Sequence, residues 1–133
     1  MHIVISVLLF IDSLIPFVLH DPILAIRYHL AQSSSLYSQS IVYAKTDPNE
    51  AVHLATHAQN HMTLLDGNIQ QLANAKDVPY ADIQTAFQRV ANNQNTLLAN
   101  LPKSYFPIII QLQSFEKRTR SSIKKLYYES LLP

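Results

Sequence analysis

Four prolines, Pro22, Pro48, Pro79 and Pro102, each stand at the head of a segment whose apolar side chains recur three and four residues apart. Proline is tolerated at the first helical position because the N–H it lacks would be unsatisfied there, and its fixed φ suits the helix. Two of these starts carry a preceding acid, Asp21-Pro22 and Asp47-Pro48, placing a capping carboxylate directly before the proline. Asp47-Pro48-Asn49-Glu50 adds a second acid three residues after the cap, the spacing of a capping box. The chain has one glycine, Gly67. That leaves little material for tight strand-connecting turns and none for a Gly-rich phosphate loop.

The first helix is predicted from Pro22 to about Lys45, with Ile23, Ile26, Leu30, Tyr37, Ile41 and Ala44 on one face. Ser33, Ser34 and Ser35 interrupt that face with small polar residues that would let a neighbour approach closely. The second is predicted from Pro48 to about Ala75. Its Ala55, Ala58, Met62, Leu65, Ile69 and Leu72 step three and four apart, a heptad-like seam. The phase survives Asp66-Gly67, so one continuous helix is expected, despite a cost of about 1 kcal/mol for glycine; a turn there is the alternative. The third runs from Pro79 to about Asn100, with Ile83, Phe87, Val90, Leu97 and Leu101 inward. The fourth starts between Pro102 and Pro107 and reaches about Leu131, with Ile108, Leu112, Phe115, Ile123 and Leu126 inward. Short connections favour antiparallel neighbours, and Thr46-Asp47 is short enough for a tight hairpin. The expected fold is all-α: an antiparallel four-helix bundle or two packed helical hairpins, spanning residues 20–133.

Residues 1–19 differ in character. Ile3-Val-Ile-Ser-Val-Leu-Leu-Phe-Ile11 is a continuous apolar run of signal-peptide length, and extending it to Leu19 approaches the ~20 residues that span a bilayer, though Asp12 and Pro16 fall within it. The expectation is a signal-like or membrane-anchor segment. A helix or strap packed on the bundle, and a truncated signal, are the alternatives. An exposed run of this kind must be covered. Localisation is expected at the extracytoplasmic face, anchored or secreted, with the cytoplasm left open.

With no cysteine, the chain offers no disulfide, zinc-thiolate site, iron–sulfur cluster or cysteine nucleophile. Its net charge of +1 conceals an asymmetry: residues 103–133 hold six basic residues against two acidic, a net +4, and the rest is net −3. Lys117, Arg118, Arg120, Lys124 and Lys125 form a candidate anion- or lipid-binding face. A solvated helix end, where basic residues complement the macrodipole, is the favoured account of them. Tyr127-Tyr128 beside Lys124-Lys125 reads either as an interface belt or as core tyrosines with a lysine collar.

His53, His57 and His61 follow one another at spacings of four, on one side of a helix. An adjacent pair can chelate a transition metal, but His53 and His61 lie ~12 Å apart along the axis and cannot share one ion. A polar face that happens to use histidine is the competing explanation. Glu50-x-x-His53 has the spacing of di-metal carboxylate bundles. That chemistry needs a second such motif, and neither Glu116 nor Glu129 has a histidine three residues on. No set of nucleophile, base and orienting residue emerges.

The order of Asp21-Pro22-Ile-Leu-Ala-Ile-Arg-Tyr-His-Leu-Ala31, Tyr43-Ala-Lys-Thr46, Asp47-Pro-Asn-Glu50, Leu97-Leu-Ala-Asn-Leu-Pro102 and Lys117-Arg-Thr-Arg-Ser-Ser122 resembles a family of prokaryotic helical domains of unknown function. The resemblance covers about Asp21 to Leu126. It implies an all-α extracytoplasmic domain behind a signal or anchor, and says nothing about activity. The functional expectation is a non-enzymatic interaction or structural module without a cofactor, whose partner is another protein or a second copy rather than nucleic acid. A metal-binding bundle using His53, His57 and His61 is the alternative.

Overall fold

A computed structural model describes residues 21–72 and 77–131. Among them are α1 (Pro22–Tyr43), α2 (Pro48–Gln71), α3 (Tyr80–Asn100), a 3-10 turn (Lys103–Tyr105) and α4 (Phe106–Ser130), with no strand. The expected all-α class holds. The apolar run of residues 1–19 and the expected end of the second helix at Ala75 lie outside the described residues.

The starts form as the caps dictate. Asp21 Oδ1 accepts from the Ile23 N–H at 2.9 Å, and Asp47 Oδ1 accepts from the Glu50 N–H at 3.3 Å. Each cap contributes about 1 kcal/mol. The Asp47 N–H donates to the Tyr43 carbonyl at 2.8 Å. That residue therefore closes α1 while opening α2, which is why the hairpin between them is so short. Glycine 67 sits within continuous α2, and a Cβ there would meet no atom within 4 Å. Asp77, between α2 and α3, takes φ 65°, the left-handed region that aspartate tolerates better than most residues.

Helix partners follow from the cross-contacts. Ser33 meets Ala58, and Ser40 meets Ala51, so α1 and α2 run antiparallel. Gln94 meets Leu112, and Tyr80 meets Tyr127, so α3 and α4 run antiparallel as well. The two hairpins stack with α1 on α3 and α2 on α4, each pair parallel. Arg27 faces Asp82 and Ser34 faces Asn93 in the first pair, and Asn49 meets Tyr105 near the start of the second. The predicted seams are the core: Ala55, Ala58, Met62, Leu65, Ile69 and Leu72 of α2, and Ile83, Phe87, Val90, Leu97 and Leu101 of α3 and its end, are all buried. Ile23, Ile41, Ile108 and Phe115 are only half-buried, at the margins.

Candidate functional site

The histidines part company. His53 is exposed and His57 half-buried, their rings 4.8 Å apart and inclined at 73°. His61 turns the other way, into the α1–α2 interface, and is 6 % exposed. There it meets His29, which is 1 % exposed, with 2.8 Å between the two Nδ1 atoms. One Nδ1 must donate and the other accept, so at least one ring holds its Nδ1 lone pair. Tyr28 lies edge-on to both rings at 5.5 and 5.7 Å, covering the pair from outside. His61 therefore does not share the outer polar face of α2 with His53. His61 falls one turn from Ala58 and Leu65 on the stripe that meets α1, and His29 opposite it supplies the hydrogen bond that makes burial tolerable. No group of three or more metal-ligating side chains occurs among the described residues.

The same interface owes its closeness to small side chains. Ser33 Oγ donates to the Ala58 carbonyl at 2.9 Å and Ser40 Oγ to the Ala51 carbonyl at 2.5 Å. Both serines and both alanines are fully buried. A hydroxyl in this position satisfies itself on the neighbouring backbone, so it adds a tie across the helices without a side-chain partner.

The five basic residues of α4 are not one patch. Arg120 sits towards α3: its Nε and Nη2 donate to Glu116 Oε1 at 3.0 and 2.5 Å, and its guanidinium lies 5.1 Å over the Phe87 ring. Arg118 lies on the α2 side, 5.4 Å over Phe115 and near Asp66. Lys117, Lys124 and Lys125 are exposed. Between α3 and α4 a groove of about 290 Å³ runs past Gln84, Thr85, Gln88, Arg120 and Lys124, floored by Phe87 and Ile123. Two of the five predicted anion-binding residues therefore line a concavity.

Polar groups are also sealed inside. The Tyr37 hydroxyl borders a hollow of about 10 Å³ where all four helices meet, room for roughly one water. Burial pushes its pKa far above the phenol range. The Gln94 amide beside it offsets a little of that, without hydrogen-bond geometry to the hydroxyl. Gln94 Nε2 itself donates to the Leu112 carbonyl at 2.8 Å. Asp66 is raised above the usual carboxylate range by burial, against which the Thr119 hydroxyl and the Arg118 charge act in part. Its Oδ1 is buried without a hydrogen-bond partner. His29, Gln94 and Thr119 escaped the sequence reading. The signal for His29 was its four-residue step before Ser33, on the stripe that continues to Ser40.

No protein-family model, curated protein or solved structure matches this chain.

Proposed function

We propose that the chain is a non-enzymatic helical interaction module, held at a membrane through residues 1–19 and displayed on the extracytoplasmic side. The supporting observation is where the ends of the bundle lie. The start of α1 stands beside the start of α3 through Arg27 and Asp82, 3.6 Å apart, and the start of α3 stands beside the end of α4 through Tyr80 and Tyr127, 5.9 Å between ring centroids. α1 therefore begins at the end of the bundle that carries Lys124, Lys125, Tyr127 and Tyr128. Lysine and tyrosine are the residues that suit headgroup depth. No helix among the described residues is long and apolar enough to cross a membrane. Exposed Leu24, Val42, Leu64 and Ile110 are then available on the flanks for a protein partner or a second copy.

The test is fractionation of cells expressing the full chain and a form lacking residues 1–19. Full chain in the membrane fraction, released by detergent and not by salt, with the shortened form released, is expected. Both forms in the soluble fraction would overturn the reading.

The adjacency of His53 and His57 favours a second reading, a transition-metal site on the outer face of α2 held by those two rings, while His61 faces α1. Titration with copper, nickel or zinc at neutral pH, against a variant carrying His53→Ala, His57→Ala and His61→Ala, decides it. Equal uptake by both proteins removes the metal site.

A further inference from the structure

We propose that the groove between α3 and α4 binds a small amphiphile bearing one phosphate or carboxylate, the anionic group on Arg120 and Lys124 and its short stem along the groove between the two helices. The first support is the state of Arg120. Glu116 holds its Nε and Nη2, and the Phe87 ring lies against its face. The guanidinium is therefore fixed before any ligand arrives, which reduces the ordering cost of binding. Its Nη1 points across to α3, where Gln88 Oε1 stands at 3.5 Å, the outer limit for a hydrogen bond. That edge can take a stronger acceptor.

Lys124 follows one turn later on the same side of α4, exposed and bordering the same groove. Gln84, Thr85 and Gln88 add neutral donors along the α3 wall. Glu116 balances one of the two cations, leaving one net positive charge. Such a site favours a single anionic group over a polyanion. Phe87 and Ile123 close the floor and, at 3 and 2 % exposure, present little surface, so the charged wall carries most of the recognition. A volume of about 290 Å³ lies at the small end of ligand sites, enough for an anionic head and a short hydrocarbon stem. A free organophosphate and a lipid headgroup share this chemistry. The inference stands apart from the tether, since nothing in the groove requires residues 1–19.

Titrating the ¹⁵N-labelled full chain with hexyl phosphate, inorganic phosphate and hexanol tests it, read at the Gln84 and Gln88 side-chain amides and the Arg120 Nε–H. Saturable shifts with hexyl phosphate, weaker ones with phosphate and none with hexanol are expected. Lys124→Gln should weaken hexyl phosphate roughly tenfold, as loss of a charge-assisted contact does. Arg120→Lys, which keeps the charge and loses the fork, should weaken it as well. Lys124 is exposed, so its variant reads binding even if Arg120→Lys disturbs the helix pair. Dihexanoyl phosphatidylglycerol competing for the same signals identifies a lipid headgroup as the source; competition by hexyl phosphate alone identifies a soluble one. No saturable shift, or an unchanged affinity in both variants, would overturn the proposal.

Discussion

Between α1 and α2 the buried contact residues include Ser33, Ser40, Ala51 and Ala58, and two serine hydroxyls reach the opposite backbone. Between α3 and α4 the contacts are Phe87, Gln94, Leu112, Ile123 and the guanidinium of Arg120, and an open groove remains. Small side chains let two helices approach until the backbone itself is the partner. Long side chains with polar ends hold helices apart and leave space that a ligand can use. The polar residues differ in the same way. In the first hairpin the His29–His61 pair is enclosed and hydrogen-bonded. In the second, Arg120 and Lys124 border solvent.

The core beneath both hairpins should respond alike. Leu65 of α2 and Leu97 of α3 are fully enclosed, and Leu65→Ala and Leu97→Ala should each cost about 2–5 kcal/mol in chemical denaturation. A loss from one and none from the other would mean that only one hairpin belongs to the core. Added bulk should separate the hairpins. Ala58→Leu, against the Ser33 hydroxyl, should cost about 1–3 kcal/mol. Thr85→Leu, on the exposed groove wall, should stay within about 0.5 kcal/mol. Equal costs would remove the distinction between a close seam and an open one.

The histidine pair sharpens the contrast further. His61→Leu alone leaves a buried imidazole facing hydrocarbon and should cost about 1–3 kcal/mol. His29→Leu with His61→Leu together should cost less than the sum of the two single changes, measured by a double-mutant cycle. Strict additivity would mean that the 2.8 Å contact contributes nothing.

Asp66 should give the smallest effect. Its folded pKa is raised, so the folded state resists ionisation more than the unfolded one does. Its contribution is fully present while the carboxyl is protonated in both states and is lost as pH rises through the folded value. Asp66→Asn should therefore raise the melting temperature slightly at neutral pH, and the gain should vanish below the ordinary carboxylate range, about pH 4. A gain that grows on acidification would contradict the assignment of burial as the dominant cause.

Much of this fold was legible because it rests on local rules. Proline and aspartate mark where α1 and α2 begin, and three-and-four spacing marks which residues face inward. The persistence of that spacing through Gly67 pointed to a continuous α2 over a turn, and the helix is continuous there. The site was less legible. A helical wheel places His61 at the edge of a seam but cannot show that His29 waits opposite. It also treats five basic residues of α4 as one face, although Arg118 belongs to the α2 side and Arg120 to the α3 side. Both distinctions depend on which helices become neighbours, a long-range property. Stacking α1 on α3 and α2 on α4 fixed them.

Hydrogen exchange on the full chain tests the difference between the hairpins most directly, because amides in a close seam open only with the whole fold while those beside a groove open locally. Amides of Ser33–Ser40 and Ala51–Ala58 are expected to exchange at the rate of global unfolding, and those of Ser114–Tyr127 in α4 measurably faster. Uniform protection across both hairpins, or faster exchange in the serine–alanine seam, would contradict it.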